Sequence, residues 1–306
     1  MRLFFYNCIS FLSIVIIFSC NDSVPNFDEN SAYQFLLDQC DFGPRNPGSE
    51  GYNNCKEYLI KTLDSYSDTV FTQPFVINDI DDTQYDLDNI IAQYNINSNS
   101  HLLLGAHWDT RPWADSDLNI EKHNQPIIGA NDGASGVSVL LELAKIFHYN
   151  PPPIRVSIVF FDGEDMGRPG VPKSYARGSQ FFAKNLPIEK PDEAIILDMI
   201  GDKELHIPIE RYSYQQNKDL VKKLWSLANK LNLEAFESRI VHTIYDDHVP
   251  LWQEAKIPAI DIIDFNYPNR YSNYWHTSQD TPDNCSAQSL GQVGNLLVHY
   301  IYGSQK

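Results

Sequence analysis

The sequence lacks any run of basic residues. It contains 23 Lys and Arg against 40 Asp and Glu, which gives a formal net charge of −17 at pH 7. Proteins that bind nucleic acid or adhere to anionic membranes rely on clustered positive charge, so the composition argues against both kinds of partner. The acidic balance is consistent with a soluble surface, and it is also consistent with an active site rich in carboxylates.

Internal repeats and low-complexity tracts are also absent from the 306 residues. Hydrophobic residues make up 42% of the chain, which is enough for one well-buried core and little for two independent ones. We therefore expect a single large domain.

The N-terminus carries an apolar stretch at residues 3–18. It is short for a membrane span and polar residues follow it, so it predicts a signal peptide at residues 1–19. The sequence Ile-Phe-Ser before Cys20 is similar to the lipobox of bacterial lipoproteins, in which this cysteine is acylated and becomes the mature N-terminus. An ordinary signal peptide with an incidental cysteine is the alternative. We expect a lipidated linker at residues 20–30 and a cell-envelope lipoprotein, periplasmic or on the surface, that touches the membrane only through Cys20.

The cysteine content is low, and no cysteine lies near the polar motifs described below. A mature chain that begins at Cys20 contains three further cysteines. In an oxidising compartment Cys40 and Cys55, which flank a Gly/Pro-rich turn, are the natural pair, with Cys285 free or buried. The other pairings remain open.

Short apolar runs, partly β-branched, alternate with helical patterns along the chain. The runs have strand length and occupy residues 102–106, 154–161, 194–197 and 258–263. Amphipathic helical patterns occupy residues 137–147, 220–231 and 290–301, and two more helices are predicted near the N-terminus, one capped by Ser31 and ending at Gln39, the other over residues 52–63. Strands apolar on both faces and separated by such helices predict an α/β fold. We expect residues 31–306 to form a single α/β catalytic domain, with one central mixed, mostly parallel sheet flanked by helices on both faces.

Ionisable residues follow three of these strand-length runs directly. His107 and Asp109 follow the first run, and Asp198 ends the third. Glu164 and Asp165 follow the second run within a few residues. Because the carboxyl ends of parallel strands form the ligand crevice of open α/β sheets, these side chains should meet at one edge.

Two further segments add metal-ligating side chains to this set. Asp132 lies in a Gly-rich turn that leads into a predicted helix, and His276 lies in a late Trp-His-Thr segment. Carboxylates and imidazoles without cysteine suit Zn²⁺ or a similar divalent ion. Any one of these residues alone would be weak evidence, since an Asp at a strand end is more often a turn residue. Their repeated placement at strand ends indicates a metal site.

Five motifs in order resemble the M28 zinc peptidase superfamily, and the resemblance spans about residue 30 to the C-terminus. They are Gly-Pro-Arg-Asn-Pro-Gly-Ser at 43–49, Gly-Ala-His-Trp-Asp-Thr-Arg at 105–111, Gly-Ala-Asn-Asp-Gly-Ala-Ser-Gly at 129–136, Phe-Phe-Asp-Gly-Glu-Asp at 160–165 and Trp-His-Thr at 275–277. Within the superfamily, Leu-Asp-Met-Ile-Gly at 197–201, Asp-Asp-His-Val-Pro at 246–250 and Trp-His at 275–276 look more like the glutaminyl-peptide cyclotransferases than the aminopeptidases.

The resemblance implies a role for each matching residue. It implies one zinc per chain and a general acid/base, with proton-transfer support and a substrate pocket around them. The zinc ligands would be Asp132, Asp165 and His276, the general acid/base Glu164, the supporting carboxylates Asp198 and Asp246, and the pocket residue Trp275, with His107 as a possible second-metal ligand or support. We also expect Trp113 to contact substrate.

The resemblance also implies a reaction. Zinc would act as a Lewis acid while an N-terminal glutamine of a peptide or protein closes to pyroglutamate and releases ammonia. A two-metal aminopeptidase is the alternative, with His107 and Asp198 binding a second ion and Asp132 bridging. A third alternative, an inactive peptide-binding lipoprotein, is disfavoured because the acid/base residue and the ligand set are intact. We expect a monomer.

Two positions depart from the animal cyclases, which carry Glu at the position of Asp165 and His at the position of Asp261. The shorter Asp165 side chain requires a slight shift of strand or metal, and the role of Asp261 is left open. Among the other histidines His248 is undecided, and the following are expected to be structural: His101, His123, His148, His206, His242 and His299.

Overall fold

The computed structural model describes residues 24–79 and 82–303. The predicted signal peptide and Cys20 lie outside this range, so they remain predictions. The strands are β1 (Thr69–Asn78), β2 (Gln84–Tyr94), β3 (His101–His107), β4 (Arg155–Phe161), β5 (Glu193–Asp198), β6 (Ile207–Ile209), β7 (Phe236–Ile240), β8 (Ala259–Ile263), β9 (Pro268–Asn269) and β10 (Ser272–Asn273). The helices are α1 (Glu29–Asp41), α2 (Glu50–Asp64), α3 (Ala134–Tyr149), α4 (Arg177–Lys184), α5 (Arg211–Gln216), α6 (Lys218–Lys230), α7 (His248–Gln253) and α8 (Ala287–Gly303).

Six strands form the central sheet, in the order β1-β2-β4-β3-β5-β8. Strand β3 pairs in parallel with β4 and β5, and β5 pairs in parallel with β8. Strand β2 is antiparallel to both β1 and β4, so it alone in this sheet runs against the others. The predicted mixed, mostly parallel sheet is confirmed, and so are its four predicted strands. The β1–β2 hairpin was not predicted.

Helices cover both faces of the sheet, as predicted. Neighbouring residues of β3 point to opposite faces: Leu104 packs in the larger hydrophobic cluster and Leu103 in the smaller one. Helices α1, α2, α3, α6 and α8 contribute to the larger cluster, whereas α4 and α7 contribute to the smaller one through Phe182 and Leu251. All seven residues of β3 are buried, which explains why the run is apolar on both faces.

The first helix differs from its prediction at the N-terminus. It begins at Glu29, and the Asp28 side chain caps it by accepting from the backbone N–H groups of Asn30 and Ser31, each at 3.1 Å. Ser31 lies inside the helix, and its hydroxyl donates to Glu142 at 2.6 Å. The prediction of Ser31 as the cap is therefore wrong. The linker predicted to end at residue 30 also ends earlier, because Phe27 is already buried and α1 begins at Glu29.

The predicted disulfide between Cys40 and Cys55 is wrong in this structure, where both are free thiols, as is Cys285. Cys40 lies in the last turn of α1 and Cys55 in the middle of α2, and both pack as small apolar side chains in the larger cluster. Burial raises the pKa of Cys40 to about 12 and that of Cys55 to about 11, so both thiols are protonated and poorly reactive.

The described residues contain no helix that combines the length and the apolar character needed to cross a bilayer.

Candidate active site

The fold brings the predicted ionisable residues to one edge of the sheet. His107 is the last residue of β3 and Asp198 the last of β5, and these strands are direct neighbours. Glu164 and Asp165 follow β4, which lies on the other side of β3. Asp132 precedes α3, which starts at the same edge. The carboxyl ends of three parallel strands therefore form the crevice that the sequence predicted.

Asp132, Asp165 and His276 form a compact group whose candidate ligand atoms all lie within 4.8 Å of one another. His276 Nε2 lies 2.9 Å from Asp165 Oδ1 and 3.7 Å from Asp132 Oδ2. All three residues are buried, and Asp132 Oδ2 and Asp165 Oδ2 have no hydrogen-bond partner. Buried carboxylate oxygens without partners are costly unless a cation satisfies them. Two carboxylates and one imidazole suit zinc, so these residues fit the metal that the sequence predicted.

Burial shifts the ionisation of this group. Burial lowers the pKa of His276 to about 3, assisted by the positive charge of Arg111, so its imidazole is neutral as metal coordination requires. Burial raises the pKa of Asp165 to about 7, although Arg111 opposes this shift. Without a cation the site therefore favours a protonated carboxyl over a second negative charge.

His107, Asp132 and Asp198 form a second group that shares Asp132 with the first. His107 Nε2 lies 3.0 Å from Asp132 Oδ1 and 3.3 Å from Asp198 Oδ1. Burial acts to lower the pKa of His107, but hydrogen bonding to Asp109, Asp132 and Asp198 outweighs it and raises the pKa. Burial raises the pKa of Asp198 to about 8. The structure thus contains a second candidate metal group that adjoins the first.

Asp280 fixes the turn that carries Asp132 through hydrogen bonds to the backbone of that turn. Asp280 is fully buried and accepts the N–H groups of Asn131 at 2.8 Å and Asp132 at 3.2 Å. Gly133 lies against His107, because a Cβ at that position would be 2.5 Å from the imidazole. The sequence analysis did not identify Asp280, and its sequence context does not distinguish it from other loop carboxylates.

Glu164 is half-buried and lines the cavity described below. Its backbone N–H donates to Asp109 Oδ1 at 3.0 Å, and that of Asp165 donates to Asp109 Oδ2 at 3.2 Å. Asp109 thus fixes the loop after β4 from the neighbouring strand end. Burial raises the pKa of Glu164 well above its usual value, and the negative charge of Asp246 adds to the shift. A raised pKa of this kind suits a carboxyl that must both take up and release a proton during a reaction.

A cavity of about 440 Å³ opens over these groups. Its lining includes the candidate ligands Asp132, Asp165 and His276 together with the apolar side chains of Trp275 and Phe265. The Trp275 ring stacks on the His276 imidazole with ring centres 3.5 Å apart.

Trp113, which was predicted to contact substrate, lies elsewhere. It is not among the residues that line this cavity. Its ring packs between the guanidinium groups of Arg111, at 5.5 Å, and Arg168, at 3.8 Å.

Behind the cavity lies a row of buried ionisable side chains that starts at Asp246. Asp261 is fully buried, and both of its carboxyl oxygens lack a hydrogen-bond partner. Burial raises the pKa of Asp261, and the charge of neighbouring Asp246 adds to the shift. His248 lies 3.8 Å from Asp261 Oδ2 on one side and 3.3 Å from Glu210 Oε2 on the other. The two residues whose roles the sequence left open, Asp261 and His248, therefore lie next to Asp246, and Glu210 lies beside His248.

The six histidines expected to be structural stay outside the candidate metal groups found among the described residues. His101, for example, is buried at the start of β3, at the opposite end from His107, and its Nε2 lies 2.8 Å from the Ser157 hydroxyl.

Together, the fold and site define an α/β enzyme with a candidate metal centre at the carboxyl edge of its sheet. The sequence model described as Peptidase family M28 matches residues 89–301, and the chain belongs to that family. The predicted resemblance is thereby confirmed.

Individual proteins refine this placement. A solved glutaminyl cyclase from Bacteroides thetaiotaomicron is 36% identical, covers 92% of this chain and 99% of its own, and superposes with a TM-score of 0.88. A solved Zn-dependent exopeptidase from Parabacteroides distasonis is 34% identical over the same shares, also with a TM-score of 0.88. A glutaminyl-peptide cyclotransferase-like protein from Bos taurus is 23% identical over 290 residues, which cover 84% of this chain and 71% of that protein.

Proposed function

We propose that this protein is a glutaminyl cyclase that converts the N-terminal glutamine of peptides and proteins to pyroglutamate and releases ammonia, with one zinc per chain. The observation that carries the proposal is the likeness to the solved bacterial cyclase over 92% of the chain. The exopeptidase is as similar overall. The choice between cyclisation and peptide hydrolysis therefore depends on the side chains around the cavity.

The chemistry of ring closure matches those groups. The nucleophile is the substrate's own α-amine, so the enzyme must hold the glutamine side chain folded back towards that amine. Trp275 and Phe265 offer an apolar wall for this compact conformation. When bound by Asp132, Asp165 and His276, zinc would supply Lewis-acid polarisation of the γ-carbonyl.

Proton transfer falls to Glu164. Its carboxylate takes a proton from the attacking amine and then donates it to the departing amide nitrogen, which leaves as ammonia, so that the residue returns to its starting state. Asp246 raises the proton affinity of Glu164 by its negative charge. Asp198, with its own raised pKa, lines the same cavity. Both carboxylates are placed to tune the proton transfer without contributing a nucleophile.

A two-metal aminopeptidase is the second candidate, because His107 and Asp198 lie with Asp132 in a geometry that could hold another ion. The two functions differ in product and in metal requirement. Purified protein should be stripped with a chelator and then given zinc in measured steps while it is supplied with a Gln-initiated peptide and, separately, with a Leu-initiated peptide.

If the protein is a cyclase, the mass of the Gln-initiated peptide should fall by the mass of one ammonia molecule, and free ammonia should appear in equal amount. Activity should be complete at one zinc per chain. The Leu peptide should remain intact. Release of the free N-terminal residue from either peptide, with a second zinc needed for full rate, would establish the aminopeptidase instead.

The proposal extends to location and assembly. The sequence before Cys20 supports a lipoprotein anchored in the cell envelope through that residue, with a monomeric catalytic domain. Intact-mass measurement of membrane-extracted protein should show the loss of residues 1–19 and a lipid adduct on Cys20, and the molar mass in solution should be that of one chain. Native protein recovered without lipid and cleaved at another position would contradict the anchor.

A further inference from the structure

Arg111 is a fully buried cation directly behind the candidate zinc ligands. It ends the Gly-Ala-His-Trp-Asp-Thr-Arg motif, but the proposed reaction gives it no role. Its Nη1 donates to the backbone oxygens of Asp165 at 3.0 Å and Gly167 at 3.1 Å, and it lies 3.3 Å from Asp165 Oδ1. The guanidinium of Arg111 thus contacts both the backbone and the carboxylate of the candidate metal ligand Asp165.

Asp115 extends this support to a second ligand. It accepts two parallel hydrogen bonds from Arg111, Nε to Oδ1 and Nη2 to Oδ2, each at 2.6 Å. Its Oδ1 also lies 3.6 Å from His276 Nδ1, the ring nitrogen that faces away from Asp165. The next residue, Ser116, donates its N–H to the backbone oxygen of His276 at 3.1 Å. Residues 111–116 therefore contact two of the three ligands from outside.

His276 needs such external support. Its backbone has φ of +58°, in the left-handed region that non-glycine residues adopt only when surrounding contacts hold them there. A carboxylate behind the second ring nitrogen of a metal-binding histidine fixes the ring orientation and increases its basicity as a ligand. Asp115 is in that position, and the fork of Arg111 fixes Asp115.

We propose that the Arg111–Asp115 pair positions Asp165 and His276 and thereby sets the zinc affinity of the site. Neither Arg111 nor Asp115 is among the residues that line the cavity, so the pair is a positioning element. The packing of Trp113 against Arg111 belongs to the same element, which gives that tryptophan a supporting role. The proposal rests on zinc as the metal of the proposed function.

The test measures zinc binding directly, by competition with a fluorescent chelator on the purified full chain. Asp115→Asn keeps the shape of the side chain and removes the charge that faces His276. Arg111→Lys keeps a cation and removes the fork that holds Asp115 and Asp165 together. Each variant should bind zinc about 10- to 100-fold more weakly than the wild type, as is usual when an outer partner of a metal ligand is lost.

Arg155→Met is the matched control. Arg155 is also a largely buried arginine with a carboxylate partner, Glu189, but it lies at the start of β4, at the opposite end of the sheet from the site. Its loss should lower thermal stability and leave zinc affinity unchanged.

Wild-type zinc affinity in folded Asp115→Asn and Arg111→Lys would overturn the proposal, and so would an equal loss of affinity in Arg155→Met. Because the assay contains no substrate, its result is independent of whether the reaction is cyclisation or peptide hydrolysis. Adding excess zinc to Asp115→Asn should also restore most of the turnover number, which a variant that merely unfolds would not show.

Discussion

Replacement of Glu164 by glutamine tests the proposed chemistry most directly. The substitution preserves shape and removes the ionisable proton. The contact of Glu164 with Asp109 runs through its backbone N–H, so the loop after β4 should keep its conformation. The neighbouring ligand Asp165 is held separately, by Asp109 and Arg111. Zinc should therefore remain bound in Glu164→Gln.

Turnover should fall by about 10²- to 10⁴-fold, the usual contribution of a positioned acid/base group, which corresponds to about 3 to 5 kcal/mol of activation free energy. The pH profile gives a second readout. Catalysis needs deprotonated Glu164, so the wild-type rate should rise with pH through a pKa that burial and Asp246 hold above the usual glutamate value. That acidic limb should be missing from the residual activity of the variant.

Glu142→Gln provides the matched control. Glu142 is also buried with a raised pKa, but it lies on α3 and bonds to Ser31 and Lys145 away from the cavity. The control should change stability and leave the turnover number at its wild-type value. A Glu164→Gln enzyme with full zinc and near-normal turnover would refute the assignment of Glu164 as the proton-transfer group.

Four further predictions concern the metal and the packing beneath it. His276→Ala removes a ligand, so zinc content measured by elemental analysis and cyclase activity should be lost together. Burial raises the pKa of Asp165 to about 7 and that of Asp198 to about 8, above their usual 3.8. In the zinc-free protein the stability that these two carboxyls contribute should therefore be fully present below their usual pKa and be lost as pH rises through their folded-state values. Because these carboxyls are protonated near pH 6, zinc binding at that pH should release protons. Calorimetry should then give different binding heats in two buffers of different ionisation enthalpy, and equal measured heats in the two buffers would contradict the prediction. Gly136→Ala places a Cβ 2.3 Å from the backbone oxygen of Leu197, where α3 packs against the sheet. The substitution should destabilise the fold by about 1 to 3 kcal/mol, measured by thermal melts. An unchanged melting temperature would show that the helix can shift to make room.

The sequence by itself determined the class of fold and most of the candidate metal site. Buried parallel strands must be apolar on both faces, and the ionisable residues that follow such runs must emerge at the same edge. His107, Asp165 and Asp198 could therefore be assigned to one crevice from their positions alone. Asp132 and His276 lie on loops, and their assignment depended on the motifs.

The tertiary structure decided what depends on side-chain direction and on partners distant in the chain. The sequence around Trp113 does not show that its ring packs against two arginines and does not line the cavity. Nor does the sequence around Cys40 and Cys55 show that they pack into the core as separate thiols. The contacts of Arg111 with Asp165 and of Asp115 with His276 join residues far apart in sequence. Such contacts follow from the way strands and loops are assembled, because periodicity specifies which residues are buried but not which side chains meet.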